Sequence, residues 1–244
     1  GDMACGEYGE GKMTEPKDIA DYINYYLLKV NKNKKLKALV TAGPTHEYLD
    51  PVRYISNRSS GKQGFEIAKS LIKNGFETTL ISGPTNLDPI PNINQINVTS
   101  AEEMFNETLK NLPVDVAIFS AAVSDWKINN IEKEKIKKKN INLSLENNKD
   151  IIEYVSKHNS LRPKIVIGFS AETNDLIKNS KKKLIGKNCD WIIANNVSDS
   201  SIGFQSDFNE VTILYNNKNP ETILRTKKNL LADQIVERVI SQIN

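Results

Sequence analysis

The sequence predicts an α/β protein built on a doubly wound, mostly parallel sheet, with helices on both faces and a small β-hairpin or flap extension. Three observations carry this expectation. From residue 36 onward, short apolar runs alternate with longer amphipathic stretches, an order that implies parallel strands joined by right-handed crossovers. The runs at 36–41 and 114–120 have the length and composition of buried strands. Each run leads into a polar or small-residue loop, and open parallel sheets bind ligands beyond the carboxyl ends of their strands.

The elements follow in order. Residues 1–15 are glycine-rich and aperiodic and read as a tail. Pro16–Val30 reads as a helix, with proline at an early helical position and Ile19, Ile23, Tyr26, Leu27 and Val30 on one face. A lysine-rich linker, 31–35, precedes the first strand at 36–41. An amphipathic helix over 65–74 stops at Gly75, and Glu77–Ser82 is the next strand. After a short strand at 96–98, Ser100 caps a helix over 101–112, with Glu103 at the capping-box position. The strand at 114–120 ends in the small turn Ala121-Ala122-Val123. The second half continues with a helix over 150–158, a strand at 164–169, a helix over 174–188 and a strand at 191–194. Runs at 211–215 and 222–224 flank the turn-rich 216–220 and form a hairpin, and Lys228–Ile243 is the closing helix. Five loops therefore converge: 42–50, 82–85, 121–127, 170–173 and 195–198.

With 244 residues the chain has room for one large or two small domains. A hydrophobic content of 39% with 26% charged residues is that of an ordinary globular protein, and no apolar run approaches the ~20 residues of a membrane span. Cys5 and Cys189 are far apart and fit neither a disulfide framework nor a metal spacing, which favours a reducing cytoplasm. A net charge of +3 is too small to indicate nucleic acid. The cluster Lys133, Lys135, Lys137, Lys138 and Lys139 reads first as a solvated surface.

The segment Asn57-Arg58-Ser59-Ser60-Gly61-Lys62-Gln63-Gly64 carries the sharpest chemistry. Small residues before a helix leave backbone N–H groups uncovered where the helix dipole favours an anion. It is not a P-loop, since Gln63 follows Lys62 and no glycine stands five residues before Gly61. It is not the dinucleotide fingerprint either, because the first strand leads into Gly43-Pro44-Thr45. A glycine turn that merely starts a helix is the bland alternative.

Asp125, just past a strand, suits a ribose hydroxyl, a metal ion or an amine, or a simple turn cap. Lys135, Lys183 and Lys187 could neutralise a polyphosphate, although a lysine pair one turn apart is more often a solvated face. His46 and His158 lack companions at ligand spacing and read as non-metal, His158 as an exposed residue at a helix end. A nicotinamide-dependent reductase is disfavoured because strand 77–82 ends in Ser82-Gly83 without a ribose-gripping acid. A nucleic-acid module is disfavoured because no aromatics interleave the lysine run.

Taken together, Thr41-Ala42-Gly43-Pro44-Thr45, Asp50-Pro51-Val52-Arg53-Tyr54-Ile55-Ser56-Asn57-Arg58-Ser59-Ser60-Gly61-Lys62, Ser120-Ala121-Ala122-Val123-Ser124-Asp125-Trp126, Glu134-Lys135-Ile136-Lys137-Lys138, Gly168-Phe169-Ser170-Ala171-Glu172-Thr173, Ala194-Asn195-Asn196-Val197-Ser198 and Gly203-Phe204-Gln205-Ser206-Asp207 closely resemble bacterial phosphopantothenoylcysteine synthetase. The resemblance spans about residues 36–240 and implies a Rossmann-like sheet, a homodimer and a cytoplasmic enzyme of coenzyme A biosynthesis. The implied reaction joins 4′-phosphopantothenate to L-cysteine with CTP and Mg²⁺ through an acyl-cytidylate. By position in these motifs, Asn57 holds the acyl-cytidylate, Arg53 supports its loop and Lys135 serves the triphosphate and the activation step. Ala121, Asp125, Phe169, Lys183 and Lys187 line the CTP site, as does Lys149-Asp150-Ile151-Ile152, where the family's nucleotide-contacting Asn-Pro-Asp-Ile matches Asn148-Lys149-Asp150-Ile151 with Lys149 in the proline's place. Gly43, Ser59, Ser60, Gly61, Gly64 and Ala122 form the phosphate and substrate loops. The magnesium ligands are not implied.

Residues 3–16 resemble the last motif of the flavin-dependent decarboxylase that bacteria fuse ahead of the synthetase, with Cys5 at its catalytic cysteine. The expected organisation is a decarboxylase tail and linker helix over 1–35 and a ligase domain over 36–244, with FMN belonging to the absent part. A binding or assembly module that depends on that decarboxylase is the alternative from another class.

Overall fold

The computed structural model describes residues 14–30, 35–137, 140–197 and 206–243, with backbone only for 24–30. Helix α1 (Pro16–Val30) opens the described chain and presents Tyr22 and Ile23 to solvent. Strand β1 (Lys37–Ala42) leads into two three-residue strands, β2 (His46–Tyr48) and β3 (Tyr54–Ser56), paired as an antiparallel hairpin. Helix α2 (Lys62–Lys73), strands β4 (Glu77–Ser82) and β5 (Asn94–Asn97), helix α3 (Ala101–Lys110) and strand β6 (Val116–Phe119) complete the first half. The second half has the hairpin β7 (Trp126–Ile128) and β8 (Leu145–Asn147), helix α4 (Ile151–Ser156), strand β9 (Ile165–Glu172), helix α5 (Leu176–Gly186) and strand β10 (Trp191–Asn196). Strands β11 (Phe208–Tyr215) and β12 (Glu221–Lys227) and helix α6 (Lys228–Ile243) close it.

The main sheet has eight strands in the order β12-β11-β10-β9-β6-β1-β4-β5. The six strands from β10 to β5 run parallel, and β11 and β12 add an antiparallel edge. Both faces are covered, which is why the inner strands are apolar throughout. On one face Ala38, Val40, Leu80, Ile118, Ile167 and Ile193 pack against α2 and α6 through residues such as Leu71 and Ile235. On the other, Leu39, Ile81, Phe119, Val166 and Ile192 meet Met104 and Phe105 of α3, Val155 of α4 and Leu184 of α5. The chain moves outward from β1 through β4 to β5, then returns to the opposite side of β1 with β6. The topological switch point therefore lies between β1 and β6, and their carboxyl ends open the crevice where a ligand is expected.

The N-terminus of α3 forms as its sequence requires. Glu103 N–H donates to Ser100 Oγ (3.2 Å), and the Glu103 carboxylate returns to accept from Thr99 N–H (2.7 Å), one residue earlier than in the usual box. Asp150 caps α4 in the same way, accepting from Glu153 N–H at 3.0 Å.

Several boundaries differ from expectation. Helix α2 begins at Lys62, not near residue 65, so Gly64 sits in its first turn and not in the preceding loop. A Cβ there would lie 2.5 Å from both Ala42 Cβ and Ser120 Oγ; the glycine is what lets the helix approach the sheet. Strand β9 runs on to Glu172 and β10 to Asn196, because their backbones stay paired past the apolar residues. The segment 211–224 is a hairpin as expected, but it extends the main sheet. The separate two-stranded hairpins are β2–β3 and β7–β8; β2 and β7 fall in segments expected to be loops and β3 and β8 in segments given no element, because three-residue strands are too short to show alternation. His158 is half-buried and not exposed: its Nδ1 accepts from Leu161 N–H at 3.1 Å and closes the turn after α4. No helix among the described residues is long and apolar enough to cross a membrane.

Candidate active site

The residues that follow β1 and β6 are laced together. Ser120 Oγ donates to the Thr41 carbonyl (2.7 Å), Ala122 N–H to the Gly43 carbonyl (2.9 Å) and Ser124 N–H to Thr45 Oγ1 (2.9 Å). Gly43 turns the chain at φ 76. Asn57 joins a third segment to this pair, its Nδ2 donating to the carbonyls of Val123 (2.9 Å) and Ala122 (3.4 Å). The 147–150 segment is tied on from the other side, since Asn148 N–H donates to the Asp125 carbonyl at 2.9 Å and its Nδ2 to the Ser124 carbonyl at 3.0 Å.

These ties enclose a cleft of about 550 Å³. It brings together eleven residues expected from the sequence: Asn57, Ala121, Ala122 and Asp125 from the switch-point loops, the run Lys149-Asp150-Ile151-Ile152, and Phe169, Lys183 and Lys187. Ile151, Ile152 and half-buried Phe169 make an apolar wall beside the cations. Lys149, in the proline's place, lines the cleft and sets its ammonium over the Phe105 ring, 4.8 Å from the centroid.

The two lysines of α5 are engaged. Lys183 pairs with Glu172 (2.7 Å) and Lys187 with Asp150 (2.9 Å). Glu172 is held below the ordinary glutamate range: burial opposes its ionisation, but Lys183 and the Ser170 hydroxyl outweigh that cost. An incoming polyanion would compete with these carboxylates for the same ammonium groups.

Beside the cleft, and sharing Phe169 with it, a narrow hollow of about 50 Å³ holds Ser59, Ser60, Gly61 and Gly64. Gly61 is the N-cap of α2 at φ 75, a left-handed conformation that favours glycine, and no side chain caps the helix. Helix N-termini of this kind present first-turn N–H groups to an anion.

Two expected catalytic residues stand elsewhere. Lys135 is exposed and lines a separate hollow with Leu49, Ile128 and Ile136. Arg53 donates to the Ile136 carbonyl (3.2 Å) and pairs with Asp50 (3.2 Å). The structure therefore binds Arg53 to the Lys135 segment but does not bring either residue to the cleft. Among the described residues, the 129–144 excursion that carries Lys135 is tied at its β7–β8 base and to Leu49, Asp50 and Arg53 of the β2–β3 hairpin, away from the cleft. Lys133 and Lys137 are exposed as expected, while Lys138, Lys139, Ser198, residues 203–205 and Cys5 lie outside the described residues.

Asp50 is the buried hub of that segment, accepting from the N–H groups of Val52 (2.8 Å), Arg53 (2.9 Å) and Ile136 (3.1 Å). Burial works against its charge, but these donors and the Arg53 guanidinium hold its carboxyl below the ordinary 3.8. A depressed carboxyl stabilises the fold fully above that ordinary value and loses the effect as pH falls through the lowered one. Asp50→Asn is therefore expected to unfold with a smaller loss of melting temperature than wild type between about pH 5 and pH 3. Parallel melting curves for the two proteins would remove Asp50 from this role.

Sequence reasoning assigned no role to Arg58, Phe119 and Asn147 in the cleft or to Asn209 and Lys228 in the hollow, while Asn148 lines the cleft with the segment it was read in. Arg58 adjoins a residue already singled out, and its charge was the available signal. Lys228 gave none, because a lysine opening a helix reads as solvated. Among the described residues no three His, Cys, Asp or Glu side chains gather as a metal site.

Residues 33–243 match the family model of the DNA/pantothenate metabolism flavoprotein C-terminal domain. The chain is 40% identical over 244 residues to the coenzyme A biosynthesis bifunctional protein CoaBC of Haemophilus influenzae, covering 98% of this chain and 60% of that protein. The Escherichia coli K12 protein of the same name is 39% identical over 249 residues, with 98% and 61% covered. The chain thus spans about 60% of the length of these curated relatives. A crystal structure of the C-terminal domain of a CoaBC protein superposes with a TM-score of 0.71 at 31% identity, over 85% of this chain and 95% of that one. The eight-stranded sheet, the switch-point cleft and these matches agree, and the chain belongs to the DNA/pantothenate metabolism flavoprotein C-terminal domain family.

Proposed function

We propose that this chain is a phosphopantothenate–cysteine ligase of coenzyme A biosynthesis that uses CTP. The observation that carries the reading is the adjacency of the cleft, with its apolar wall and cations, to the α2 anion seat, the two sharing Phe169, with Asn57 lining the cleft just ahead of Ser59 and Ser60. A nucleoside triphosphate fits this division: base and ribose in the cleft against Phe169 and the 147–152 segment, phosphates toward Ser59, Ser60 and Gly61. The phosphopantothenate carboxylate attacks the α-phosphorus of CTP; the bond to pyrophosphate breaks and an acyl-cytidylate forms. The cysteine amine then attacks the acyl carbon, the bond to CMP breaks, and the amine loses a proton. Asn57 orients the acyl-cytidylate, while Lys183 and Lys187 exchange their carboxylate partners for phosphate oxygens. This is catalysis by positioning and by stabilising developing charge.

Magnesium accompanies a triphosphate as a largely hydrated ion needing one or two carboxylates. Asp125 and Asp150, both lining the cleft, are the residues that fit, and the ion would neutralise charge on the departing pyrophosphate. Incubation with CTP, phosphopantothenate, magnesium and cysteine tests the assignment, and failure to release CMP and pyrophosphate would refute it. Repeating the assay with ATP decides the nucleotide preference.

Lys135, in its separate hollow, and Arg53, tied to the neighbouring Ile136 carbonyl, reach the phosphates when the 129–144 excursion closes or when a second copy supplies it. Exposed Tyr48, Val52, Tyr54 and Trp126 on the projecting hairpins support a homodimer. Sedimentation at the monomer mass of 27.4 kDa would oppose it. Lys135→Gln is expected to slow pyrophosphate release about 10²-fold while sparing turnover of preformed acyl-cytidylate. An unchanged first step excludes that role. We further propose that residues 1–35 are the end of a fused flavin-dependent decarboxylase and its linker, that 36–244 form the ligase domain, and that the protein is cytoplasmic.

A further inference from the structure

We infer that Arg162 is a positioning residue for the nucleotide: its guanidinium clamps the C-terminal ends of α4 and α5 together and so sets Lys187 against the α4 side of the cleft. Arg162 does not line the cleft; on the reading of that cleft as the CTP site, it acts through the two helices and not by touching the ligand. The end of a helix leaves its last carbonyl groups without intrahelical partners, and a planar guanidinium can serve several of them at once. Arg162 Nε donates to the Ser156 carbonyl at the end of α4 (2.9 Å). Its Nη2 donates to the Asn188 carbonyl just past α5 (3.2 Å) and to Asp190 Oδ2 (3.0 Å). That same oxygen accepts from Val166 N–H of β9 at 2.7 Å, which fixes the clamp to the sheet. Two more bonds join the helix ends directly. Asn188 Nδ2 donates to the Ser156 carbonyl (3.0 Å), and the fully buried Ser156 hydroxyl donates to the Lys187 carbonyl.

These ties matter because both helices carry cleft residues. Helix α4 has six residues, too few to hold its place by its own hydrogen bonds, so its position depends on contacts from outside. Its N-cap and first turn supply Asp150, Ile151 and Ile152 to the cleft, and the last turn and C-cap of α5 supply Lys183 and Lys187. The Lys187–Asp150 pair (2.9 Å) and the Arg162 clamp thus join the same two elements at two places. When Lys187 leaves Asp150 for a phosphate oxygen, the first tie is lost and the clamp alone of these two keeps the helices at their spacing. Without the guanidinium, α5 is free to shift against α4, and a ligand held by both loses contacts to one of them. Asn57, Ser59 and Ser60 stand on the segment before α2 and keep their places. The loss should therefore fall on the nucleotide and spare the other substrates.

Calorimetric titration with CTP and steady-state kinetics test this in wild type, Arg162→Ala, Arg162→Lys, Lys187→Ala and the Arg162→Ala/Lys187→Ala double variant, with thermal melting to verify folding. Arg162→Ala is expected to weaken CTP and raise its KM about tenfold, while the KM values for phosphopantothenate and cysteine at saturating CTP stay within about twofold. Arg162→Lys should also weaken CTP, because a compact ammonium cannot serve two carbonyls and a carboxylate together. Because Arg162 works through Lys187, adding Arg162→Ala to Lys187→Ala should cost less than about threefold more. Arg238→Ala, which breaks the pair with Glu221 between α6 and β12, is the control for lost stability and should leave CTP affinity unchanged. Unchanged CTP affinity in folded Arg162→Ala overturns the inference alone, as does a full tenfold further loss in the double variant or an equal loss in Arg238→Ala. Should Arg162→Ala not fold, wild-type affinity in Arg162→Lys overturns it equally. Wild type that does not bind CTP overturns the reading of the cleft and the inference with it.

Discussion

Replacing Asn57 by Asp is expected to let acyl-cytidylate accumulate: pyrophosphate is released in a burst, while CMP release slows by about 10²–10³-fold, the range for losing one positioned donor at a reacting acyl group. The geometry gives the reason. Asn57 Nδ2 is the donor that ties the 57–61 loop to the Val123 and Ala122 carbonyls. Aspartate is nearly isosteric but offers only acceptors when ionised, so it would face two carbonyl oxygens with no proton between them. The 121–125 turn should back away from the loop, opening the gap where the acyl carbon must meet the cysteine amine. Phe169, Ile151 and Ile152 lie on other elements and still offer the nucleotide its apolar wall, which is why the first half-reaction should survive. Matching time courses for pyrophosphate and CMP at the wild-type rate would take this role from Asn57.

A methyl group at Gly64 is expected to be nearly as damaging from outside the reacting centre. Its Cβ would stand 2.5 Å from Ala42 Cβ and from Ser120 Oγ, and 3.2 Å from Ala42 Cα. Neither neighbour can yield, because Ala42 is in a central strand and Ser120 Oγ is held by the Thr41 carbonyl at 2.7 Å. Helix α2 must therefore lift from the sheet, and overpacking of this kind costs about 1–3 kcal/mol. Its N-terminus carries Ser59, Ser60 and Gly61 with it, and displacement of about 1 Å in a positioning element can cost about 10² in rate. Gly64→Ala should thus lose both melting temperature and activity. Gly186, where nothing lies within 4 Å of the added atom, is the control: Gly186→Ala should leave both unchanged or gain slightly in stability. Equal behaviour of the two variants would show that the α2–β1 approach does not matter.

Much of the framework was legible in the chain itself. The apolar runs that became β1, β4, β6, β9 and β10 are buried on both faces, and such strands announce themselves without any partner being known. Ser100 with Glu103, and the final helix from Lys228 to Ile243, rest on local interactions and were read to the residue or nearly so. The β2–β3 and β7–β8 hairpins were not, since three residues carry no period and their pairing depends on the sheet end beneath them. The start of α2 was misplaced for a related reason. Gly64 looks like a helix breaker until Ala42 and Ser120 are set against it.

The candidate site divides along the same line. The chain by itself determined which residue types occupy the strand ends, because each loop's small and polar residues are coded next to the strand that positions them. The Asn57 loop and Asp125 were recognisable on that basis, whereas Phe169 came only from the family resemblance and the α5 lysines read locally as a solvated face. Only the tertiary structure decided which of these residues meet. It gathered eleven into one cleft, held Lys183 and Lys187 against Glu172 and Asp150, left Lys135 on a separate hollow and tied Arg53 to Asp50 and the Ile136 carbonyl. It also turned Lys228, an unremarkable first residue of a helix, into a buried cation facing the α2 seat. Burial and charge balance are properties of neighbours distant in sequence, so no local pattern can carry them.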